Sequence, residues 1–198
     1  MGDMLLAPLV LFALAMCLTP GPNVVMVAAS AANFGFRRAI PHMLGITLGF
    51  ALLIMASGLG LAGLIQAEPR LHVTLKYLGA AYLLYLAWRI AGASVVSASS
   101  TRANPIGFIE ATLFQWTNPK GWVTAIGALA AYTSVEGNML LQTTAIAAVL
   151  AAACFLSVVL CAGFGAATGR FLSAPFARKA FNWSMAGLLM ISLIPVFR

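Results

Sequence analysis

Two proline-containing motifs interrupt a chain that is otherwise strongly apolar, and both have the residue types to bind an anion. The first consists of Thr19, Pro20, Gly21, Pro22 and Asn23, and the second of Asn118, Pro119 and Lys120. Proline lacks a backbone N–H and clashes with the preceding turn, so each motif predicts a break in a helix. Thr19 before Pro20, and Asn118 before Pro119, have the pattern of an N-cap followed by proline at the first helical position. Each restarted helix would direct free N–H groups and a positive dipole end into the protein. Ordinary proline kinks used for packing are the alternative.

Lys120 is the charge that bears most directly on this chemistry. It lies deep inside an apolar stretch, and a charge at mid-membrane costs about 3 kcal/mol or more. We therefore expect it to face a cavity and to pair with a carboxylate of the substrate or the protein. Asn23, Gln115 or Asn118 are predicted to contact the ammonium or side chain of such a substrate. The alternative is a lysine that reaches backbone carbonyls or an interface.

Few other groups are available to carry a proton. Glu110 is the only carboxylate within an apolar stretch, and its ten-residue separation from Lys120 is roughly 15 Å of helix, which argues against direct pairing. Glu110 is a candidate for proton coupling or, alternatively, an interfacial anchor. His42, beside Pro41, ordinarily titrates near neutral pH, and its alternative is a histidine at the level of the lipid headgroups. Lys120 is the third candidate, because desolvation favours release of its proton when the site is empty.

The sequence carries no motif for catalysis or for a cofactor. It has no Walker A loop, no acidic run for a divalent metal, no histidine–cysteine cluster and no nucleophile beside a base. We therefore expect no enzyme activity, no cofactor and no metal, and transport driven by a gradient. Cys17, Cys154 and Cys161 form no CxxC pair and are predicted to be small packing residues. The basic residues are scattered, which argues against a nucleic-acid partner.

Composition places these motifs in a lipid bilayer. The 198 residues are 62% hydrophobic and 8% charged, with a mean hydropathy of +0.99, whereas a soluble domain is about 25% charged. A membrane span requires about 20 apolar residues. Six apolar stretches meet this requirement, at about 4–32, 39–66, 73–93, 106–133, 139–168 and 180–197. The predicted fold class is an all-α integral membrane protein with six transmembrane helices in a single domain, 1–198.

The spacing of the two motifs indicates an internal repeat. Pro20 and Pro119 are 99 residues apart, so halves of about 1–99 and 100–198 each hold three spans and one proline break. Three spans per half is an odd number, so the halves would insert in opposite orientations, as in many secondary transporters. Seven Lys and Arg residues fall on one side of the membrane and three on the other, which predicts that both termini are extracytoplasmic. Gly45 and Gly49 predict close helix packing, within one chain or between the chains of a homo-oligomer.

At these residues the chain resembles the LysE/RhtB family of amino-acid exporters. The motif at 19–23 is followed by Gly35-Phe36-Arg37-Arg38, by Gly45 to Gly49, by Lys76-Tyr77-Leu78-Gly79-Ala80-Ala81-Tyr82-Leu83 and by Asn118-Pro119-Lys120, in order across essentially the whole chain. The cysteine/O-acetylserine exporters are the most similar branch, on the runs 79–82 and 86–91 and on Gln115. The resemblance implies a six-helix bacterial inner-membrane exporter of amino acids or close derivatives, powered by the proton-motive force. It implies substrate-path roles for 19–23 and 118–120, and it supplies no role for Glu110.

These observations combine into one mechanism and leave two other classes open. The substrate carboxylate would dock against the two half-helix N-termini and Lys120, and the two halves would rock to expose the site alternately. Deprotonation of Lys120 coupled to substrate release would make the protein an antiporter. The other classes are a channel or thiol/redox membrane module of similar architecture, and a structural subunit that does not transport.

Overall fold

A computed structural model describes residues 3–61, 69–92, 104–134, 137–172 and 174–194, and all regular structure within them is helical. The α-helices are α1 (Asp3–Leu18), α2 (Pro22–Phe34), α3 (Phe36–Ala56), α4 (Pro69–Gly92), α5 (Phe108–Phe114), α6 (Pro119–Tyr132), α7 (Met139–Phe171) and α8 (Pro175–Ile191). A π-helical turn, Ser57–Leu61, continues α3, and a 3-10 turn, Gln115–Thr117, follows α5. The prediction of an all-α protein is confirmed for these residues.

The first apolar stretch folds as two helices. Its two parts, Leu6–Leu18 and Pro22–Phe34, are bent by 57° with respect to each other. The N-cap of α2 is Gly21, in an extended conformation with φ −165° and ψ 178°. The predicted cap at Thr19 is therefore wrong. The reason is local, because the Thr19 hydroxyl donates back to the Ala15 carbonyl in the last turn of α1.

The fourth apolar stretch also contains two α-helices. Asn118 is the N-cap of α6 and Pro119 is its first residue, as the pattern predicted. The Asn118 side chain makes no capping hydrogen bond, but its backbone carbonyl accepts hydrogen bonds from the amides of Gly121, at 3.0 Å, and Trp122, at 3.3 Å. The cap is therefore formed by the backbone, and the amide side chain is left for another partner.

Two segments of the described chain, or three if a bent helix pair counts as one, are candidates to cross a membrane. Phe36–Gly60 and Met139–Phe171 are long and apolar enough to cross a bilayer, and α1 with α2 would make a third span if the bent pair counts as one. The protein is therefore a multi-pass membrane protein. The arrangement into six spans stays a prediction, since the remaining described helices do not meet the same length and hydropathy criteria.

Helix α7 is the centre of the helix packing and contacts α1, α2 and α3. A side chain at Gly165 or Gly169 of α7 would collide with the backbone carbonyl of Ala28 or Ala32 in α2. The two helices therefore touch backbone to backbone, which small residues permit in a membrane. This contact fixes α2, and with it the residues just after the first break.

Glycines of α3 position the second break in the same way. A Cβ atom on Gly49 would lie 2.7 Å from the Thr112 carbonyl oxygen and 2.8 Å from Gln115 Cγ. The Thr112 hydroxyl also donates a hydrogen bond of 3.1 Å to the Gly45 carbonyl. Gly45 and Gly49 therefore pack α5 within one chain. The structure contains no partner chain, so the homo-oligomer stays a prediction.

Candidate functional site

The two interrupted helix pairs meet at a cavity of about 50 Å³. A single water molecule requires roughly 10–15 Å³ of such space, so the cavity has room for more than one small polar group. Residues from both predicted motifs and from the end of α5 line it, namely Gly21, Pro22, Asn23, Gln115, Asn118 and Lys120. Thr19, Pro20 and Pro119, which were also predicted to bind substrate, are not part of this lining. Residues almost a hundred positions apart in the sequence thus line one cavity.

Lys120, in the first turn of α6, connects the two breaks directly. Its Nζ donates a hydrogen bond of 2.5 Å to the Thr19 carbonyl oxygen, just beyond the end of α1. Within the described ranges it forms no ion pair with a carboxylate. The ammonium thus faces a cavity, as expected, and its present partner is a backbone carbonyl, as the alternative interpretation held. A neutral carbonyl is a weaker partner for an ammonium than a carboxylate.

Gly21 makes room for this lysine. A Cβ atom built on Gly21 would lie 3.0 Å from Lys120 Cδ and 3.3 Å from its Nζ. The backbone of Gly21 is extended, which any residue can adopt, so space rather than conformation favours glycine here, and a larger residue would require the lysine to shift by a few tenths of an ångström.

A reciprocal pair of amides forms a second link between the breaks. Asn23 Nδ2 donates to Gln115 Oε1 at 2.9 Å, and Gln115 Nε2 donates back to Asn23 Oδ1 at 3.2 Å. Gln115 Nε2 also reaches the Ala111 carbonyl at 3.1 Å. Gln115 is completely buried, so its polar atoms depend on these partners. The pair joins the start of α2 to the end of α5.

Asn118 presents a buried polar atom that has no partner. Its side chain is 3% exposed, and its Oδ1 accepts no hydrogen bond in the described part of the protein. An unsatisfied buried acceptor costs about 1–3 kcal/mol. Because Asn118 lines the cavity, a donor group placed in the cavity would remove that cost.

Glu110 and His42 lie away from the cavity. Glu110 Oε1 accepts hydrogen bonds from Arg89 Nη1 at 2.5 Å and from the Tyr82 hydroxyl at 2.8 Å. Arg89 also donates to the Asn104 carbonyl at 3.0 Å, so this cluster ties the end of α4 to the chain around α5. His42 is completely buried, and neither ring nitrogen is hydrogen-bonded to the described part of the chain. Its position at the level of the lipid headgroups stays a prediction.

The structure adds cavity residues that were not predicted to belong to the site. Cys17, from the last turn of α1, and Cys154, from α7, were interpreted as packing residues, and Ser157 of α7 was not considered. The Ser157 hydroxyl donates to the Cys17 carbonyl at 2.7 Å. The available signal was that Cys154 and Ser157 are three residues apart, which places them on one helical face.

Comparison with known proteins identifies the family of the chain. The family model of the LysE type translocator matches residues 14–194 and so includes both breaks and the cavity. The chain belongs to the LysE type translocator family. This confirms the resemblance stated from the motifs, and it makes the protein a membrane transporter rather than an enzyme.

Curated relatives of this LysE type translocator agree with the family. The chain is 36% identical over 133 residues, 67% of each chain, to the cysteine/O-acetylserine efflux protein of Salmonella choleraesuis (strain SC-B67). It is 26% identical over 196 residues, 99% of this chain and 98% of the relative, to the protein of the same name from Klebsiella pneumoniae subsp. pneumoniae. The protein of that name from Shigella flexneri is 29% identical over 152 residues, 76% of this chain and 77% of the relative. No solved structure matches the chain significantly.

Proposed function

We propose that this LysE type translocator exports small neutral amino acids of the cysteine and O-acetylserine class across the bacterial inner membrane, in exchange for protons. The family and the names of the relatives support the class of substrate. One observation carries the proposal, namely that a cavity between two interrupted helices is lined by Lys120, which bears the ammonium, and by Asn118, whose side-chain oxygen is buried without a partner among the described residues. These are complementary to the carboxylate and the ammonium of a zwitterion.

The substrate carboxylate binds Lys120 in place of the Thr19 carbonyl. A carboxylate adds a Coulomb attraction to the ammonium that the neutral Thr19 carbonyl lacks, so the exchange favours the bound substrate. The amides of Asn23 and Val24 lie in the first turn of α2, where the helix itself supplies no acceptor, and both residues line the cavity. The positive end of α2 therefore adds to the attraction for an anion.

The substrate ammonium binds Asn118 Oδ1. This atom needs a donor, and an ammonium supplies three. The Asn23–Gln115 pair lies on the same cavity wall and contacts the rest of the substrate. The cavity measures about 50 Å³, which supports a small substrate side chain.

Alternating access involves the contacts between the two halves of the chain, 1–99 and 100–198. The hydrogen bonds Lys120–Thr19, Asn23–Gln115 and Ser157–Cys17 all cross from one half to the other. A bond between neutral groups contributes about 1 kcal/mol and one to a charged group about 1.5–3 kcal/mol, so rocking of the halves can exchange them at modest cost. The two interrupted stretches, one in each half, support an inverted repeat of three spans per half. Both termini are then extracytoplasmic.

Lys120 is assigned to substrate binding rather than to proton transfer. It binds the substrate as an ammonium, and a lysine that gave up this proton only when empty would carry a proton outward with the substrate. Exchange for protons instead requires a proton that is bound on the empty return step and released inside. Glu110 is held in an ion pair with Arg89 outside the cavity, so we assign it a structural role. His42 has no hydrogen-bonded route to the cavity among the described residues, and we assign it no step.

Counterflow in proteoliposomes tests the proposal. Vesicles preloaded with cysteine, O-acetylserine, threonine, homoserine, leucine or lysine should show saturable exchange for the small neutral substrates only. Lys120→Ala should abolish the exchange, whereas Lys179→Ala, which removes an exposed lysine of α8, should not. Absence of exchange for every substrate, or full exchange by Lys120→Ala, would overturn the proposal. Conductance without saturation would instead identify a channel.

A further inference from the structure

Two thiols line the cavity from helices that pack against each other. Cys17 of α1 and Cys154 of α7 both line it, and both are free cysteines. Lys120 lines the same cavity. The cavity therefore holds a dithiol beside the cation already assigned to the substrate.

The backbone holds these thiols together. Cys17 Sγ lies 3.8 Å from the Leu150 carbonyl oxygen, and Leu150 precedes Cys154 by one helical turn. Because a helical side chain leans over the turn before it, the Cys154 thiol extends toward this carbonyl. The Ser157 hydroxyl, on the same face of α7, donates to the Cys17 carbonyl at 2.7 Å. Cys17 is thus anchored to α7 on both sides of Cys154.

Cys161 provides an internal comparison. It lies two turns beyond Cys154 on α7, and it does not line the cavity. The structure therefore separates a pair of cavity thiols from a single thiol outside the cavity.

We propose that Cys17 and Cys154 form a redox-sensitive pair that a small organic disulfide converts into an intramolecular disulfide, and that this bond arrests the translocator. The thiolate of one cysteine attacks a sulfur of the reagent, forms a mixed disulfide and releases one small thiolate. The second cysteine, as its thiolate, then attacks the protein sulfur of the mixed disulfide and releases the other small thiolate. Two protein thiols are oxidised, and one small disulfide is reduced to two thiols.

The arrest follows from where the new bond would lie. It would join α1, in the half 1–99, to α7, in the half 100–198, across the surface on which the halves must move. This part of the inference rests on the proposed function, whereas formation of the disulfide does not. If the exported substrate is a thiol amino acid, its oxidised dimer belongs to the class of co-reactant required. Oxidised product would then inhibit further export.

Dithiodipyridine, a small disulfide that releases a coloured thiopyridone, tests the first step. In the purified full-length Cys161→Ser protein, we expect release of two thiopyridones per chain, no retained pyridyl group and an intact mass lower by two hydrogens. Dithiothreitol should restore the original mass. With Cys17 also replaced by serine, Cys154 alone should release at most one thiopyridone and keep its label. A Cys161→Ser protein that retains a pyridyl label on either cysteine, without the loss of two hydrogens, would overturn the proposal.

Counterflow before and after oxidation tests the second step. The oxidised Cys161→Ser protein should lose at least about nine-tenths of its own untreated rate, a tenfold change or about 1.4 kcal/mol, and dithiothreitol should restore it. The protein with Cys17, Cys154 and Cys161 all replaced by serine should keep its own rate after the same treatment, because it has no thiol to label or to oxidise. A confirmed disulfide with unchanged counterflow would overturn the arrest. An untreated protein that shows no counterflow would contradict the proposed function, while the mass measurement would still decide on the disulfide.

Discussion

Lys120 Nζ donates a hydrogen bond of 2.5 Å to the carbonyl oxygen of Thr19, a residue 101 positions away in the sequence. The bond connects the first turn of α6 to the residue that follows α1. Lys120 lines the cavity, and this hydrogen-bond partner of its ammonium is a neutral carbonyl. In the proposed mechanism, the substrate binds when its carboxylate replaces this carbonyl as the partner of the Lys120 ammonium.

Gly21→Ala should impair transport without unfolding the protein. The new Cβ atom would lie 3.0 Å from Lys120 Cδ, so it would displace the lysine and narrow the cavity, while the extended backbone accepts alanine. We expect the apparent affinity for substrate to fall about tenfold, or about 1.4 kcal/mol, in counterflow titrations. Gly187→Ala is the matched control, because a Cβ atom there meets nothing within 4 Å. Equal affinities for the two variants would refute a tight fit around Lys120.

The Asn23–Gln115 pair should show coupled effects on stability. Gln115→Leu leaves the Asn23 amide without its reciprocal partner, at a cost of about 1–3 kcal/mol. Replacing both residues with leucine should restore part of the free energy of unfolding but not transport. Thermal unfolding in detergent measures the first effect and counterflow the second. If the losses of stability caused by the two single leucine replacements simply add up in the double variant, the two amides act independently.

Glu110→Gln should keep proton-driven export. Arg89 and Glu110 are 26% and 31% exposed as side chains, and ion pairs of this partly exposed kind contribute about 0–1 kcal/mol. We therefore expect a small loss of thermal stability, with substrate uptake into inverted vesicles still driven by an imposed proton gradient. Export that becomes independent of the gradient in Glu110→Gln would assign proton coupling to Glu110 and contradict its structural role.

Gly49→Ala should destabilise the fold. Its Cβ atom would lie 2.7 Å from the Thr112 carbonyl oxygen and 2.8 Å from the backbone Cα of Thr112. Neither atom can move without shifting α5, and overpacking of this kind costs about 1–3 kcal/mol. The melting temperature in detergent should fall, in contrast to Gly163→Ala, where a Cβ atom meets nothing within 4 Å. An unchanged melting temperature for Gly49→Ala would show that α5 is not held by this contact.

Local patterns predicted the parts of the site that depend on neighbouring residues. Asn118 before Pro119 predicted the start of α6, because proline fixes the first helical position. Thr19 before Pro20 has the same pattern, yet α2 starts at Pro22, since the Thr19 hydroxyl bonds back into α1. A motif with two prolines allows two starting points, and the choice between them depends on a hydrogen bond that the residue types do not determine.

Contacts between distant segments could not be predicted in the same way. Cys17 and Cys154 were interpreted as small packing residues because each lies in an apolar stretch, and only the packing of α1 on α7 brings them together. The ion pair of Glu110 with Arg89 similarly depends on how α4 lies beside α5. A single sequence contains helical periodicity but not the pairing of helices.

The most direct test compares a substrate with its decarboxylated analogue. Binding of cysteine and of cysteamine, which lacks the carboxylate, should be measured on the purified wild-type protein, on Lys120→Ala and on the Lys179→Ala control. We expect wild type and Lys179→Ala to prefer cysteine by at least about tenfold, or about 1.4 kcal/mol, and Lys120→Ala to lose that preference. A preference for cysteine that persists in Lys120→Ala would contradict the assignment of the carboxylate to Lys120.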